Sequence, residues 1–356
     1  MLRVGLIGYG YWGPNLARNF SANPDCKLVR ICDLSPKRRA LAQATFPWID
    51  TTDDAGAITK AKDLDVVVVA TPVAHHFELA KTALLGGKHV WVEKPMTSTV
   101  AEAQELTELA EARGLTLMVD HTFLFTGAVQ RMKELIDSGE LGELYYYDAV
   151  RVNLGLFQSD VNVICDLAPH DLSIMDYLLG PAARAVSAQG RSHFETGLED
   201  VAYLCVYYDN NLMAHFHLNW LSPVKIRQIL VGGSKKMLMW DDTRADEKLK
   251  IYSRGVQITT NEERNRVLAE YRIGDMYCPT LPNVEALHAE VAYFVDCTAR
   301  AQRPHNDGNA GIRILSMLEA ADRSLRSNGS VVELKTPSPS SPNQVPVSLV
   351  GGRRFA

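Results

Sequence analysis

The chain has 356 residues, of which 46% are hydrophobic and 22% charged, and a formal net charge of −5. That length allows about two domains with a sizeable core. The absence of a basic block argues against a nucleic-acid partner, and no apolar run approaches the roughly 18 residues that a membrane span requires. The N-terminus enters a strand directly, without the charged and apolar regions of a signal peptide. Six cysteines (26, 32, 165, 205, 278 and 297) form no C-x-x-C pair and no framework, so a cytoplasmic protein with reduced thiols is expected.

The first apolar run ends at Ile7 and meets Gly8-Tyr9-Gly10-Tyr11-Trp12-Gly13, after which Pro14 opens an amphipathic segment, Asn15 to Phe20. Strand, glycine turn and helix in that order suit a dinucleotide pyrophosphate. Gly8 allows the tight turn, Gly10 the close approach of the phosphates, Gly13 the packing of helix on strand, and the helix end offers free N–H groups. Tyr11 and Trp12 are expected to cover this loop. A second run, Lys27 to Cys32, ends in Asp33, 25 positions after Gly8. Its carboxylate is expected to bind the adenosine ribose and favour NAD, while Arg38 and its basic neighbours, Lys37 and Arg39, keep NADP as the alternative.

Further along, Val66 to Ala70, His89 to Glu93 and Leu115 to Val119 read as strands, alternating with helices over Phe77 to Leu85 and Thr99 to Arg113. This alternation predicts a doubly wound parallel sheet. After Gly142 long alternating segments dominate: Leu144 to Leu154, Asp200 to Tyr208, Leu212 to Leu221, Lys225 to Val231 and Lys236 to Trp240. They predict a large, mostly antiparallel open sheet. Helices return over Val284 to Ala299 and Ala310 to Arg326. The fold class is therefore α/β, with a Rossmann domain over 1–122, an α+β substrate-binding and oligomerisation domain over 123–335, and a Pro/Ser-rich, disordered tail over 336–356. Apolar residues on both faces of the second sheet predict a homodimer or homotetramer. His215 and His217 share a strand face, but no third ligand stands at metal spacing, so no metal site is expected.

Three motifs fall where a Rossmann sheet places its chemistry: Thr71-Pro72 with His75 and His76, Glu93-Lys94-Pro95, and Asp166-Leu167-Ala168-Pro169-His170. Lys94 at a strand end is a candidate to stabilise a developing alkoxide. Glu93 is a candidate partner of the nicotinamide ribose. His170 is the candidate general base. If Asp166 is the N-cap of the helix that follows, Pro169 falls at its third position and Asp166 and His170 reach one pocket. The sequence leaves open which of Lys94 and His170 is formally the base.

Together these motifs resemble the glucose–fructose oxidoreductase/inositol dehydrogenase family, often written Gfo/Idh/MocA, from residue 2 to about residue 335. The resemblance implies NAD(P)-linked oxidation or reduction of sugar or cyclitol hydroxyls, a second domain that dimerises through its sheet, and cofactor contacts from Thr71, Pro72, His76, Glu93 and Lys94. The stretches Val119 to Phe125, Arg151 to Gly155 and Asp160 to Cys165 are similar to a branch acting on nucleotide sugars, often at the 3-position. That likeness implies substrate contacts from Lys94, His121, Arg151, Asn153, Asn162, Asp166 and His170. The alternatives are an NADPH-dependent ketosugar reductase, a cyclitol dehydrogenase and a cofactor-binding regulator without turnover.

Overall fold

The computed structural model describes residues 1–155, 161–194, 197–253, 255–257 and 270–334. The predicted tail over 336–356 lies outside them. Six parallel strands, β1 (Leu2–Ile7), β2 (Cys26–Cys32), β3 (Asp50–Thr52), β4 (Val66–Val69), β5 (His89–Val92) and β6 (Leu117–Val119), form one sheet in the order β3-β2-β1-β4-β5-β6. Helices α1 (Gly13–Ala22), α2 (Pro36–Thr45), α3 (Gly56–Thr59), α4 (His76–Leu85) and α5 (Val100–Ala112) connect them. The four valines of β4 are all fully buried, which is why this strand reads as an unbroken apolar run rather than an alternation. Helix α5 starts on a capping box between Thr99 and Glu102 and gives way at Gly114, whose φ of +63° suits glycine.

Helix α6 (Gly127–Asp137) leads into the second half. Strands β7 (Leu144–Leu154), β8 (Ala183–Arg191), β9 (Val201–Tyr208), β10 (Met213–Asn219), β11 (Leu221–Gly233), β12 (Met237–Asp241) and β13 (Leu249–Tyr252) follow, with a separate ribbon of β14 (Gly255–Gln257) and β15 (Glu270–Arg272). With β16 (Met276–Tyr277) and β17 (Val332–Glu333) they give a nine-stranded sheet, β16-β13-β12-β11-β7-β10-β9-β8-β17. Its pairs are antiparallel except β7 with β10. Helices α7 (Val163–Leu179) and α9 (Gly308–Arg326) pack on one face, burying Ala202, Leu204 and Val206, while Tyr146, Tyr203 and Met213 stay exposed. On that exposed side His217 stacks on Tyr203 at 4.7 Å, and His215 Nδ1 lies 3.6 Å from Asp148 Oδ1. All six cysteines are free thiols, and no described helix is long and apolar enough to cross a membrane.

Helix α8 (Ala286–Ala299) crosses the division placed at 122/123. Its Leu287, Val291, Phe294 and Val295 enter the core of the first half with Leu16, Phe20 and Trp91. Phe20, Trp91 and Phe294 meet edge to face at 5.3, 5.5 and 6.2 Å between centroids. Arg18 and Asn19 of α1 hydrogen-bond Glu285, just before α8.

Candidate active site

At the carboxyl ends of β1 and β4, where strand order reverses, a cleft of about 760 Å³ opens. Gly8 has φ +100°, and an added Cβ would lie 2.3 Å from the Ala70 carbonyl oxygen. At Gly13 a Cβ would lie 2.3 Å from Gly8 O, so helix and strand close on each other only through glycine. No side chain caps α1 at Trp12, which leaves this helix end to an anion. Asp33 receives the Tyr9 and Ser35 backbone N–H groups at 2.7 and 2.8 Å and lines the cleft. Arg38 lies over Gly10 with Nη1 3.7 Å from Asp33 Oδ2. Tyr11 stands fully exposed at the rim, whereas the Trp12 indole donates to Asp120 Oδ2 at 3.0 Å. Thr71, Pro72, Glu93 and Lys94 complete the lining. The cradle, the bare helix end and the carboxylate 25 residues on fit a dinucleotide.

His76 is placed differently from the expectation. It is buried behind the lining, its ring nitrogens 2.7 Å from Thr71 O and 3.0 Å from Pro95 O. Burial holds its pKa below the ordinary value. It ties the Thr71 turn to the Lys94–Pro95 turn, and it is His75 that lines the cleft.

Lys94 stands two residues beyond the end of β5, and its peptide bond to Pro95 is cis. The His170 ring meets Phe123 edge to face at 5.1 Å, and the guanidinium groups of Arg151 and Arg227 lie 4.9 and 5.3 Å from the same phenyl ring. Desolvation first, then the charges of Lys94, Arg151, His121 and Arg227, hold the His170 imidazole well below its usual pKa. It is neutral at physiological pH, with a lone pair available.

The start of α7 corrects the helix expected from Asp166. Asn162 is the N-cap, its Oδ1 accepting from Cys165 N at 3.1 Å while its Nδ2 donates to Glu199 at 3.1 Å. The side chain expected to touch substrate is thus engaged in capping. Asp166 falls one turn inside the helix and accepts from the Trp220 indole at 3.0 Å. Pro169 sits well within the helix rather than in its first turn. Asp166 and His170 still share a face, being four residues apart.

Arg151 also departs from the expected contact. It is 4% exposed, and its Nε and Nη2 donate to the two oxygens of Asp171 at 2.8 and 2.7 Å. Asn153 stands part-exposed on β7. His121 is buried, and desolvation lowers its pKa to about 4.

Two residues of this neighbourhood had not been singled out. Asp120 ends β6 at the same sheet edge as Glu93 and accepts from Trp12 Nε1, Thr122 N and Thr122 Oγ1 at 3.0, 3.2 and 2.5 Å. Glu290 of α8 accepts from His121 N and Asn306 Nδ2 at 3.0 and 3.1 Å. Asp120 had a signal, its place just after a buried strand. Glu290 had none, because α8 brings it back from 169 residues beyond His121.

Comparison with known proteins agrees with this geometry. Residues 2–121 match the model of an oxidoreductase family with an NAD-binding Rossmann fold, and residues 129–239 match the GFO/IDH/MocA C-terminal domain. The chain is 27% identical over 331 residues to the UDP-N-acetylglucosamine 3-dehydrogenase of Acidithiobacillus ferrooxidans, spanning 88% of this chain and 94% of that one. It is 24% identical over 349 residues to the D-apiose dehydrogenase of Paraburkholderia graminis, spanning 93% and 89%. A solved structure of the former enzyme superposes with a TM-score of 0.78 at 24% identity, covering 92% of this chain and 98% of that one, and shows the shared fold. Glycine cradle, Glu-Lys-Pro strand end and second sheet domain thus come together in a chain that belongs to the Gfo/Idh/MocA family of NAD-dependent oxidoreductases.

Proposed function

We propose that the protein oxidises a secondary hydroxyl of a sugar, specifically the 3-hydroxyl of a nucleotide sugar. The observation that carries this reading is the His170 imidazole, packed against Phe123 and held below its usual pKa by burial and then by the charge of Lys94, which lines the cleft. An acceptor for a hydroxyl proton and a cation for the developing alkoxide are the two groups the reaction needs from the protein. The bound nicotinamide supplies the hydride acceptor. His170 takes the hydroxyl proton, Lys94 holds the oxygen, and Asp166, steadied by the Trp220 indole, orients them. The nucleotide-sugar assignment is supported by the likeness to the UDP-N-acetylglucosamine 3-dehydrogenase.

A panel of nucleotide sugars, free sugars and cyclitols with NAD⁺, read by NADH formation and by mass spectrometry of the ketone, tests it. Oxidation of a nucleotide sugar at C3 is expected, and turnover confined to cyclitols would overturn the substrate assignment. Lys94→Ala and His170→Ala should each reduce kcat by about 100-fold or more while NAD⁺ affinity changes little. The losses should combine non-additively, since both groups act on one hydroxyl. Asp166→Asn should lose less and remain folded. Near-normal turnover of His170→Ala would transfer the role of base to Lys94.

A further inference from the structure

Three carboxyl groups converge beside the cleft from three elements: Glu93 at the end of β5, Asp120 at the end of β6, and Glu290 of α8. The charge of Asp120 acts on both glutamates. Asp120 and Glu290 are 3% and 0% exposed, while Glu93 keeps an edge on the cleft. Asp120 receives three donors, from the Trp12 indole at the head of α1 and from the backbone and hydroxyl of Thr122. Glu290 Oε1 has the His121 and Asn306 N–H groups, and Glu93 Oε2 has the Lys94 N–H at 3.2 Å. Among the described residues no N–H or O–H reaches Glu93 Oε1 or Glu290 Oε2.

Two buried carboxyl oxygens without a donor among the described residues are suited to hold a carboxyl proton. The surrounding charge agrees. Lys94 is the cation acting on Glu93 and His121. His121 is 2% exposed, its ring nitrogens have no hydrogen-bond partner among the described residues, and it stays neutral. Desolvation and then the charge of Asp120 push both glutamates well above the usual carboxyl range. Burial and the neighbouring carboxylate thus both favour the protonated form of the two glutamates.

We propose that Glu93, backed by Asp120 and Glu290, is a proton-binding site linked to the charge of the cofactor, losing its proton to solvent when the oxidised cofactor binds and recovering one when the cofactor is reduced. The inference rests on the reading above: the cationic ring of a bound NAD⁺ would be held at the Glu93–Lys94 end of the cleft. A positive charge there favours ionised Glu93, and its loss on reduction removes that bias. The proton count balances. The substrate carbinol gives a hydride to the cofactor and its hydroxyl proton to His170, and that proton ends on Glu93. The one proton released to water per turnover has already left at the binding step.

Titration calorimetry of NAD⁺ and of NADH into the full chain, in two buffers of different ionisation enthalpy near pH 7, counts protons directly and needs no sugar. Release of about one proton with NAD⁺ and almost none with NADH is expected. Glu93→Gln should abolish the difference. Glu290→Gln, which mimics the protonated acid, should retain it. Equal counts for the two cofactor forms, or an unchanged difference in Glu93→Gln, would overturn the proposal. Should Glu93→Gln fail to fold, the wild-type difference and its retention in Glu290→Gln remain decisive, and loss of the difference in Glu290→Gln would place the proton there instead. A failed sugar screen leaves these counts intact, so the two readings fail separately.

Discussion

Replacing Arg151 by Met, or Asp171 by Leu, leaves a single charge inside the second domain. The pair is bidentate, at 2.8 and 2.7 Å, with side chains 4% and 3% exposed, so solvent screens neither survivor. Breaking a buried pair from one side typically costs about 3–5 kcal/mol, because the remaining charge is desolvated without compensation. At about 1.4 kcal/mol per tenfold, that is two to three and a half powers of ten in the folding equilibrium. Removing both partners, as Arg151→Met with Asp171→Leu, should return stability to within about 1 kcal/mol of the wild type, since no buried charge is left. Urea unfolding of all four proteins by circular dichroism closes the cycle. Single variants costing under about 1 kcal/mol, or a double variant no better than the worse single, would refute the reasoning. The site gives a second readout. Arg151 is among the charges that depress His170, so the His170 pKa, followed by NMR, should rise in the double variant.

Asp33→Ser should improve NADP⁺ binding relative to NAD⁺, because it removes a carboxylate and frees Arg38, 3.7 Å away, for a 2′-phosphate; calorimetry of both cofactors checks this, and an unchanged ratio would exclude Asp33 as the discriminator. His305 is packed between Tyr293 and Tyr177 with its pKa pushed down to about 3 by burial. Below its free pKa of about 6.5 the unfolded chain binds a proton that the folded chain refuses, so this residue costs stability as pH falls from about 6.5 toward 3. Relative to the wild type, His305→Phe should lose about 1–2 kcal/mol less stability between pH 7 and pH 5, and parallel pH–stability curves would contradict this. The exposed face carrying Tyr146, Tyr203 and Met213 should be covered by a second copy, and light scattering showing a stable monomer at micromolar concentration would count against it.

The glycine turn and the strands β1, β2, β4, β5 and β6 were legible because they rest on local periodicity and on residues that punctuate it, whereas β3, three residues long, carries too short a pattern to read. The start of α7 was misread for a physical reason. Proline is best tolerated in a first turn, so Pro169 drew the cap toward Asp166, although Asn162 is as good a capping residue and lies where the chain turns. Arg151 looked like a substrate contact because a charged residue on an alternating strand carries no mark of its partner, which is on α7, 20 residues away. His76 and His75 are adjacent, and the sequence offered nothing to say which of them turns inward. Glu290 was out of reach for a different reason: an amphipathic helix declares that it has a buried face, but not which sheet will bury it.

That last point bears on synthesis. The N-terminal nucleotide-binding half is not finished when residue 122 leaves the ribosome, because the helix that shields Phe20 and Trp91 carries Phe294 and is translated about 170 residues later. Until then an aromatic surface waits for its cover, in a state open to chaperones and to aggregation. A fragment cut at the end of the first sheet would carry every residue of the glycine cradle and still lack one wall of its own core. Completion of the early half by a late segment also raises the mean sequence separation of its contacts, which slows folding and makes the two halves mature together rather than in turn.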